Sequence, residues 1–123
     1  MDLSVLRSLS YGVYIVATKV EDKNVGCVLN SAMQITRNKI AISVHHDNYT
    51  NEGIKKTKKF SLSILGEDCD PKIIGTFGYQ TSREIDKFQD VSYEEKEDLP
   101  VLKDSCGYVV CKVVDQMETE THT

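Results

Sequence analysis

The sequence predicts a mostly β fold, a largely antiparallel barrel with two or three short helices, and three observations carry that reading. Residues 60–65 (FSLSIL) alternate strictly, Phe60, Leu62 and Ile64 against Ser61 and Ser63, the period-2 pattern of a strand with one buried and one wetter face. Residues 11–18 (YGVYIVAT) and 107–115 (GYVVCKVVD) carry β-branched and aromatic side chains on both faces, as strands placed centrally in a sheet or barrel do. The helical segments are few and clustered, unlike the steady alternation of a parallel α/β sheet.

In chain order, the strand at 11–18 is followed by a shorter one at 25–29 (VGCVL), entered through a turn at Lys23-Asn24. A third strand covers 40–45 (IAISVH). Residues 50–59 (TNEGIKKTKK) have helical composition despite Gly53, and the strand at 60–65 comes next. Asp70-Pro71 starts a second helix, reaching to Gly78: Asp caps, and Pro at the first helical position gives up no needed hydrogen bond. Thr81-Ser82-Arg83-Glu84 reads as a capping box for a third helix, with Ile85 and Phe88 facing the core. Residues 92–98 (SYEEKED) read as an acidic loop before the last strand. The expected order is β-β-β-α-β-α-α-β.

Length and composition narrow the function. The 123 residues suit one domain spanning 1–123. A net charge of −4 argues against a general nucleic-acid binder but leaves room for a local phosphate site. No apolar run approaches the ~20 residues that span a bilayer. Asp2 precedes Arg7, the first cation, and no apolar stretch follows, so a signal peptide is not indicated and the expected location is the cytoplasm. The four cysteines form no CxxC pair and lie at no metal-finger spacing from a histidine, so they are expected to be free thiols, with no metal site. No GxGxxG, P-loop, GxSxG or HExxH motif is present, which leaves hydrolytic and phosphoryl-transfer chemistry unsupported.

Four stretches could carry chemistry. Residues 78–83 (GYQTSR) bring hydroxyls, a guanidinium and free backbone N–H groups to a predicted helix start, where phosphate is attracted, and Lys87 lies one turn on. Spacing alone favours a plain capped helix carrying a surface Arg. Asn30-Ser31-Ala32-Met33-Gln34 could line a flat polar ring, although locally it reads as a strand-end turn. His45-His46 point to opposite faces of a strand and read as solvated loop histidines rather than metal ligands. Lys55, Lys56, Lys58 and Lys59 form a solvated helix face or, as the minority reading, a dock for an acidic partner. Taken locally, Thr121-His122-Thr123 is a mobile end.

Six segments in order nevertheless resemble the flavin reductase-like family with the FMN-binding split-barrel fold, of the flavoredoxin, archaeal ferric reductase and rubredoxin-fused type. They are residues 10–16 (SYGVYIV), Asn30–Gln34 with Thr36, Thr50 opening its helix, residues 74–79 (IGTFGY), Arg83 with Asp86-Lys87-Phe88, and Thr121-His122-Thr123. Their order overrides the local readings at 30–34 and 81–83. The resemblance implies a homodimer that binds FMN noncovalently near its interface. It implies ring and ribityl contacts from Asn30, Ser31 and Gln34, with Ser31 near N5, and further cofactor contacts from Thr36, Asn48 and Thr50. Thr81, Ser82 and Arg83 would take the phosphate with Lys87 in support, and His122 would sit where nicotinamide or another donor docks. A donor near N5 would stabilise charge building on the ring during reduction.

The implied function is an NAD(P)H-dependent oxidoreductase that passes hydride to FMN and electrons on to flavin, ferric iron or a redox protein. The alternatives are a non-enzymatic FMN-holding electron-transfer module docking an acidic redox protein, a cofactor-free barrel, and a pyridoxamine-phosphate oxidase that no residue singles out. The family continues after Thr-His-Thr with another strand, whereas this sequence ends at Thr123, so the expectation is a domain lacking that C-terminal strand. The loop at Arg37-Asn38-Lys39 is shorter than in the family, and His45 stands where many relatives have Asn.

Overall fold

The computed structural model describes residues 2–123. After a 3₁₀ turn at Leu3–Ser8, the elements are β1 (Tyr14–Val20), β2 (Lys23–Leu29), β3 (Ala32–Thr36), β4 (Lys39–Ile42), α1 (Tyr49–Thr57), β5 (Lys59–Ile64), α2 (Pro71–Tyr79), β6 (Tyr93–Lys96), β7 (Leu99–Leu102) and β8 (Gly107–Lys112). One antiparallel sheet has the order β2-β1-β5-β8, and β3-β4 and β6-β7 form separate hairpins. The fold is therefore mostly antiparallel sheet with a few short helices, as predicted.

β1 is central, paired on both edges, and apolar on both faces for that reason. Ile15 and Ala17 pack with Ile73, Phe77, Phe88 and Leu102 on one side of the sheet. Val16 packs with Cys27, Leu29, Val44, Phe60 and Leu62 on the other. α1 lies against β1 at Gly53, where a Cβ would come within 2.8 Å of methyl groups of Thr18 and Val20. Asp70 caps α2 as expected, its Oδ1 accepting from the Lys72 N–H at 3.0 Å.

Four expectations change. The acidic residues 92–98 do not form a loop but most of a hairpin, whose turn places Glu97 and Asp98 in the left-handed region and whose second strand, β7, is fully buried. Charge and Pro100 hid that strand. No third helix forms over 81–88. Thr81 makes its cap, accepting from the Arg83 N–H at 3.1 Å, but Asp86 then starts a competing turn by accepting from the Phe88 N–H at 2.9 Å. Residues 32–36 are a strand rather than a turn. β8 is an edge strand, not a central one: it pairs only with β5, and Tyr108 and Val109 are exposed. Residues of β8 and of the hairpin strand β4 line a cleft of about 770 Å³, whose walls include Ile40, Ile42, Ile54, Phe60 and Val113.

The C-terminal segment is docked. Val44 and Thr123 exchange two backbone hydrogen bonds of 2.9 Å, and the His46 N–H donates to the Thr121 carbonyl at 2.8 Å. Asn51 Nδ2 reaches both the Val44 carbonyl and Thr123 Oγ1, at 2.9 and 3.1 Å. Glu118 closes the arrangement, with His46 Nε2 at 2.8 Å, Lys55 Nζ at 3.1 Å and the Thr123 hydroxyl donating at 2.8 Å. Those contacts, the Thr123 hydroxyl foremost, hold the Glu118 carboxyl at about 2, against 4.5 for an ordinary glutamate.

A carboxyl whose folded value is depressed contributes docking stability above its unfolded value and loses it as pH falls through the folded one. The segment should therefore stay docked at pH 6 and loosen progressively below pH 4.5, with release near pH 2. Hydrogen exchange at the Thr123 and Val44 amides reads this directly. Glu118→Gln should lose protection at those amides even at pH 6; full retention there would contradict the clamp.

Candidate functional site

The start of α1 is where distant segments meet. Asn48 caps the helix, its Oδ1 accepting from the Thr50 N–H at 3.0 Å. Thr50 is fully buried, and among the described residues its hydroxyl finds no hydrogen-bond partner beyond a weak contact with the Cys27 thiol. Above the same turn, the Arg83 guanidinium stacks on the Tyr49 ring, 4.5 Å from its centroid, and donates to Glu52 Oε2 at 3.0 Å. The N–H groups of Asn48, Thr50 and Asn51 are already engaged, so what this turn offers an anion is the positive end of the helix dipole, the Thr50 hydroxyl and the Arg83 guanidinium.

The loop that presents Arg83 is pinned from beneath. Ser82 Oγ accepts from the Gly26 N–H and donates to the Gly26 carbonyl, both at 3.1 Å. Lys87, expected beside Arg83 on a helix surface, is instead buried: Nζ donates to the Gly26 carbonyl at 2.7 Å and to the Phe77 carbonyl at 3.0 Å. The second contact lies in the last turn of α2, where a cation is favoured by the helix dipole. Burial pushes the Lys87 ammonium below the ordinary lysine value, and neighbouring Cys27 pulls it partly back. Burial likewise pushes the Cys27 thiol up, opposed by Thr50, Lys87 and Asn48.

The remaining sequence-predicted residues lie in two other places. Asn30, Ser31, Gln34 and Thr36 belong to the segment that leaves β2 and forms β3, and all keep exposed surface. Ser31 donates from its hydroxyl to Asn30 Oδ1 at 3.2 Å, and Gln34 Nε2 donates to the Arg37 carbonyl at 3.2 Å. A bulge lies between Gln34 and Thr36. His122 forms a β-bridge with His45, the two rings edge to face at 4.9 Å. Its Nδ1 is 2.7 Å from Thr121 Oγ1, and it lines the large cleft. His45 Nδ1 accepts from the Asp47 N–H at 3.0 Å, so in its neutral form His45 carries its proton on Nε2. Among the described residues no group of three or more His, Cys, Asp or Glu is placed to hold a metal ion.

Tyr49, the platform for Arg83, was not singled out from the sequence; an aromatic one residue after a capping Asn was the available signal. Cys27 gave no signal, being one apolar position within a strand. Of the four lysines at 55–59, Lys55 is engaged with Glu118, and Lys58 donates to Gln116 Oε1 at 2.9 Å.

Lys87→Met keeps much of the side-chain bulk but strips two buried carbonyls of their donor. It should destabilise the protein by about 1–3 kcal/mol, seen as a lower urea midpoint. An unchanged midpoint would mean that the ammonium does not hold the loop.

Comparison with known proteins gives a consistent answer. A family model described as "Flavin reductase like domain" matches residues 6–123. Over 127 aligned residues, the chain is 35% identical to a high molecular weight rubredoxin of Moorella thermoacetica, covering 100% of this chain and 56% of that protein. It is 31% identical to a ferric-chelate reductase (NAD(P)H) of Archaeoglobus fulgidus, covering 100% of this chain and 75% of that one. The crystal structure of flavoredoxin from Methanosarcina acetivorans superposes with a TM-score of 0.82 at 22% identity, over 91% of this chain and 62% of that one. The chain thus spans little more than half the length of the rubredoxin relative. The residues that prompted the resemblance, the antiparallel fold and the match over 6–123 agree: this chain belongs to the flavin reductase-like family.

Proposed function

We propose that the protein binds FMN noncovalently and works as an NAD(P)H-dependent flavin reductase-like oxidoreductase. One observation carries the reading: Arg83 stacks on Tyr49 at the N-terminal turn of α1, the turn that also holds the buried Thr50 hydroxyl, and together they offer a phosphate seat. The donor set fits the cofactor. The Thr50 hydroxyl and Arg83 would take the phosphate at the positive end of α1, with Asn48 and Thr81 beside them. The exposed Arg83–Glu52 pair contributes little by itself, so the guanidinium is free to turn toward an anion. Ser82 and Lys87 serve this seat indirectly, by pinning the loop to β2.

FMN, when bound, supplies the ring that accepts hydride. Asn30, Ser31, Gln34 and Thr36 would orient it, the Ser31 hydroxyl placing a donor near N5. His122, steadied by Thr121 and His45, would position the nicotinamide of NAD(P)H. The onward acceptor would be free flavin, ferric iron or a redox protein. We place this chemistry in one cytoplasmic split-barrel domain over 1–123, acting as a homodimer. Free thiols at all four cysteines support the compartment, and the exposed Leu3, Leu6, Leu9, Met33 and Ile35 support self-association. The likeness to a rubredoxin keeps the second reading open, an FMN-holding module whose electrons come and go through a protein partner.

The phosphate seat predicts discrimination between FMN and riboflavin, which lacks the phosphate. Wild type should bind FMN more tightly, and Arg83→Ala should weaken FMN about 10- to 100-fold while leaving riboflavin unchanged, by flavin fluorescence titration. Equal affinities for the two flavins in wild type would overturn the assignment. Bleaching of bound FMN by NADH or NADPH without air supports the enzyme; flavin that only a protein partner reduces supports the module.

A further inference from the structure

At the opposite end of α1 the structure gathers positive charge in a chain whose net charge is −4. Lys59 and Lys112 are directly opposite each other in the β5–β8 ladder. Like charges facing across an antiparallel pair destabilise it, so this arrangement is not explained by folding. Lys58 adjoins them: its carbonyl accepts from the Val113 N–H at 2.8 Å, and its left-handed backbone turns the chain from α1 into β5. Lys56 lies on the exposed last turn of the helix. Among the described residues none of these four forms an ion pair, although Lys55, beside them in sequence, is paired with Glu118. Lys58, Lys59 and Lys112 line one shallow groove with Thr57, Val110 and Cys111. Among the described residues Glu97 is the one carboxylate in its wall, and it makes no ion pair with the lysines.

We infer that Lys56, Lys58, Lys59 and Lys112 form the docking surface for an acidic, one-electron redox protein. The inference rests on the flavin reading above and adds to it the surface through which electrons leave or arrive. The patch and the phosphate seat sit at the two ends of one nine-residue helix, which spans about 13 Å. A partner seated on the lysines therefore lies about 13 Å along the helix from the phosphate seat. Complementary charge raises the encounter rate and fixes orientation, and it does so in a salt-dependent way. A nucleic acid is the less suitable polyanion, because the remainder of this chain is more acidic than the whole and would repel it. The electrons balance simply: each hydride taken from NAD(P)H supplies two electrons, reducing two one-electron acceptors and releasing one proton.

The test uses the full chain loaded with FMN and an acidic rubredoxin as probe. Binding of oxidised rubredoxin is followed by titration calorimetry, and its reduction by its visible absorbance, each across a salt series. Reversing two charges in a Lys56→Glu/Lys112→Glu double variant should slow rubredoxin reduction at low salt about 10-fold or more, with the gap closing as salt rises. The variant should fold, since Lys112→Glu replaces a repulsive cross-strand pair with an attractive one. Reduction of a neutral quinone by the same variant should match wild type. A wild-type rate with rubredoxin that ignores salt, or a variant as fast as wild type, overturns the surface; so does equal competition by duplex DNA. Salt-sensitive binding of rubredoxin by a protein that holds no FMN would uphold the surface and overturn the flavin reading instead.

Discussion

The carbonyl of Gly26 is the point on which the site depends. It accepts hydrogen bonds from both Ser82 Oγ and Lys87 Nζ, and no Cβ fits at Gly26, where one would lie 2.9 Å from the Val16 carbonyl and 3.3 Å from the Phe77 ring. Through that one group the 81–88 loop is fixed to β2, and the second bond of Lys87 fixes it to the end of α2. A buried ammonium without a carboxylate is tolerable only when polar groups replace its water, and two carbonyls do so here. Phe88, the next residue, is drawn into the core against Phe77 and Tyr93, with ring centroids 5.0 and 5.3 Å apart. The loop then has one way to lie, and Arg83 projects from it over Tyr49.

The fold explains why such a pin is needed. α1 is held to β1 by close packing at Gly53. The loop carrying Arg83 has no helix of its own to stiffen it. Two side-chain anchors take the place of regular structure, and a phosphate seat is assembled from segments distant in sequence. At the other side of the same helix, Asn51 and Lys55 reach the C-terminal segment, so α1 also sets the position of His122.

Much of this was legible from residues alone. The strand at 60–65, the doubly apolar stretch at 11–18, whose strand runs over Tyr14–Val20, and the Asp70-Pro71 helix start each follow local rules, although the two faces of the strand at 60–65 do not. β7 was not legible, because its burial is decided by Ser61 and Ser63 on β5, whose hydroxyls bond the backbone of Pro100 and Leu102. Serines read as the wet face are in fact buried against a second layer. The helix over 81–88 failed for a related reason. Its capping box satisfies the local rule, but the buried contacts of Lys87 and Phe88 outweigh one turn of helix. For the site, Arg83 was found by its place near a cap, whereas its partner surface on α1 needed the fold: nothing in spacing joins Tyr49 and Thr50 to Arg83.

The phosphate of a flavin, on this proposal, is held at the N-terminal turn of α1 under Arg83. A crystal structure of the protein grown with FMN tests it most directly. The phosphate oxygens should lie within hydrogen-bond distance of Thr50 Oγ1 and the Arg83 guanidinium, with Lys87 still on the carbonyls of Gly26 and Phe77. A flavin whose phosphate lies away from α1, or an Arg83 still bound to Glu52 in the complex, would contradict it.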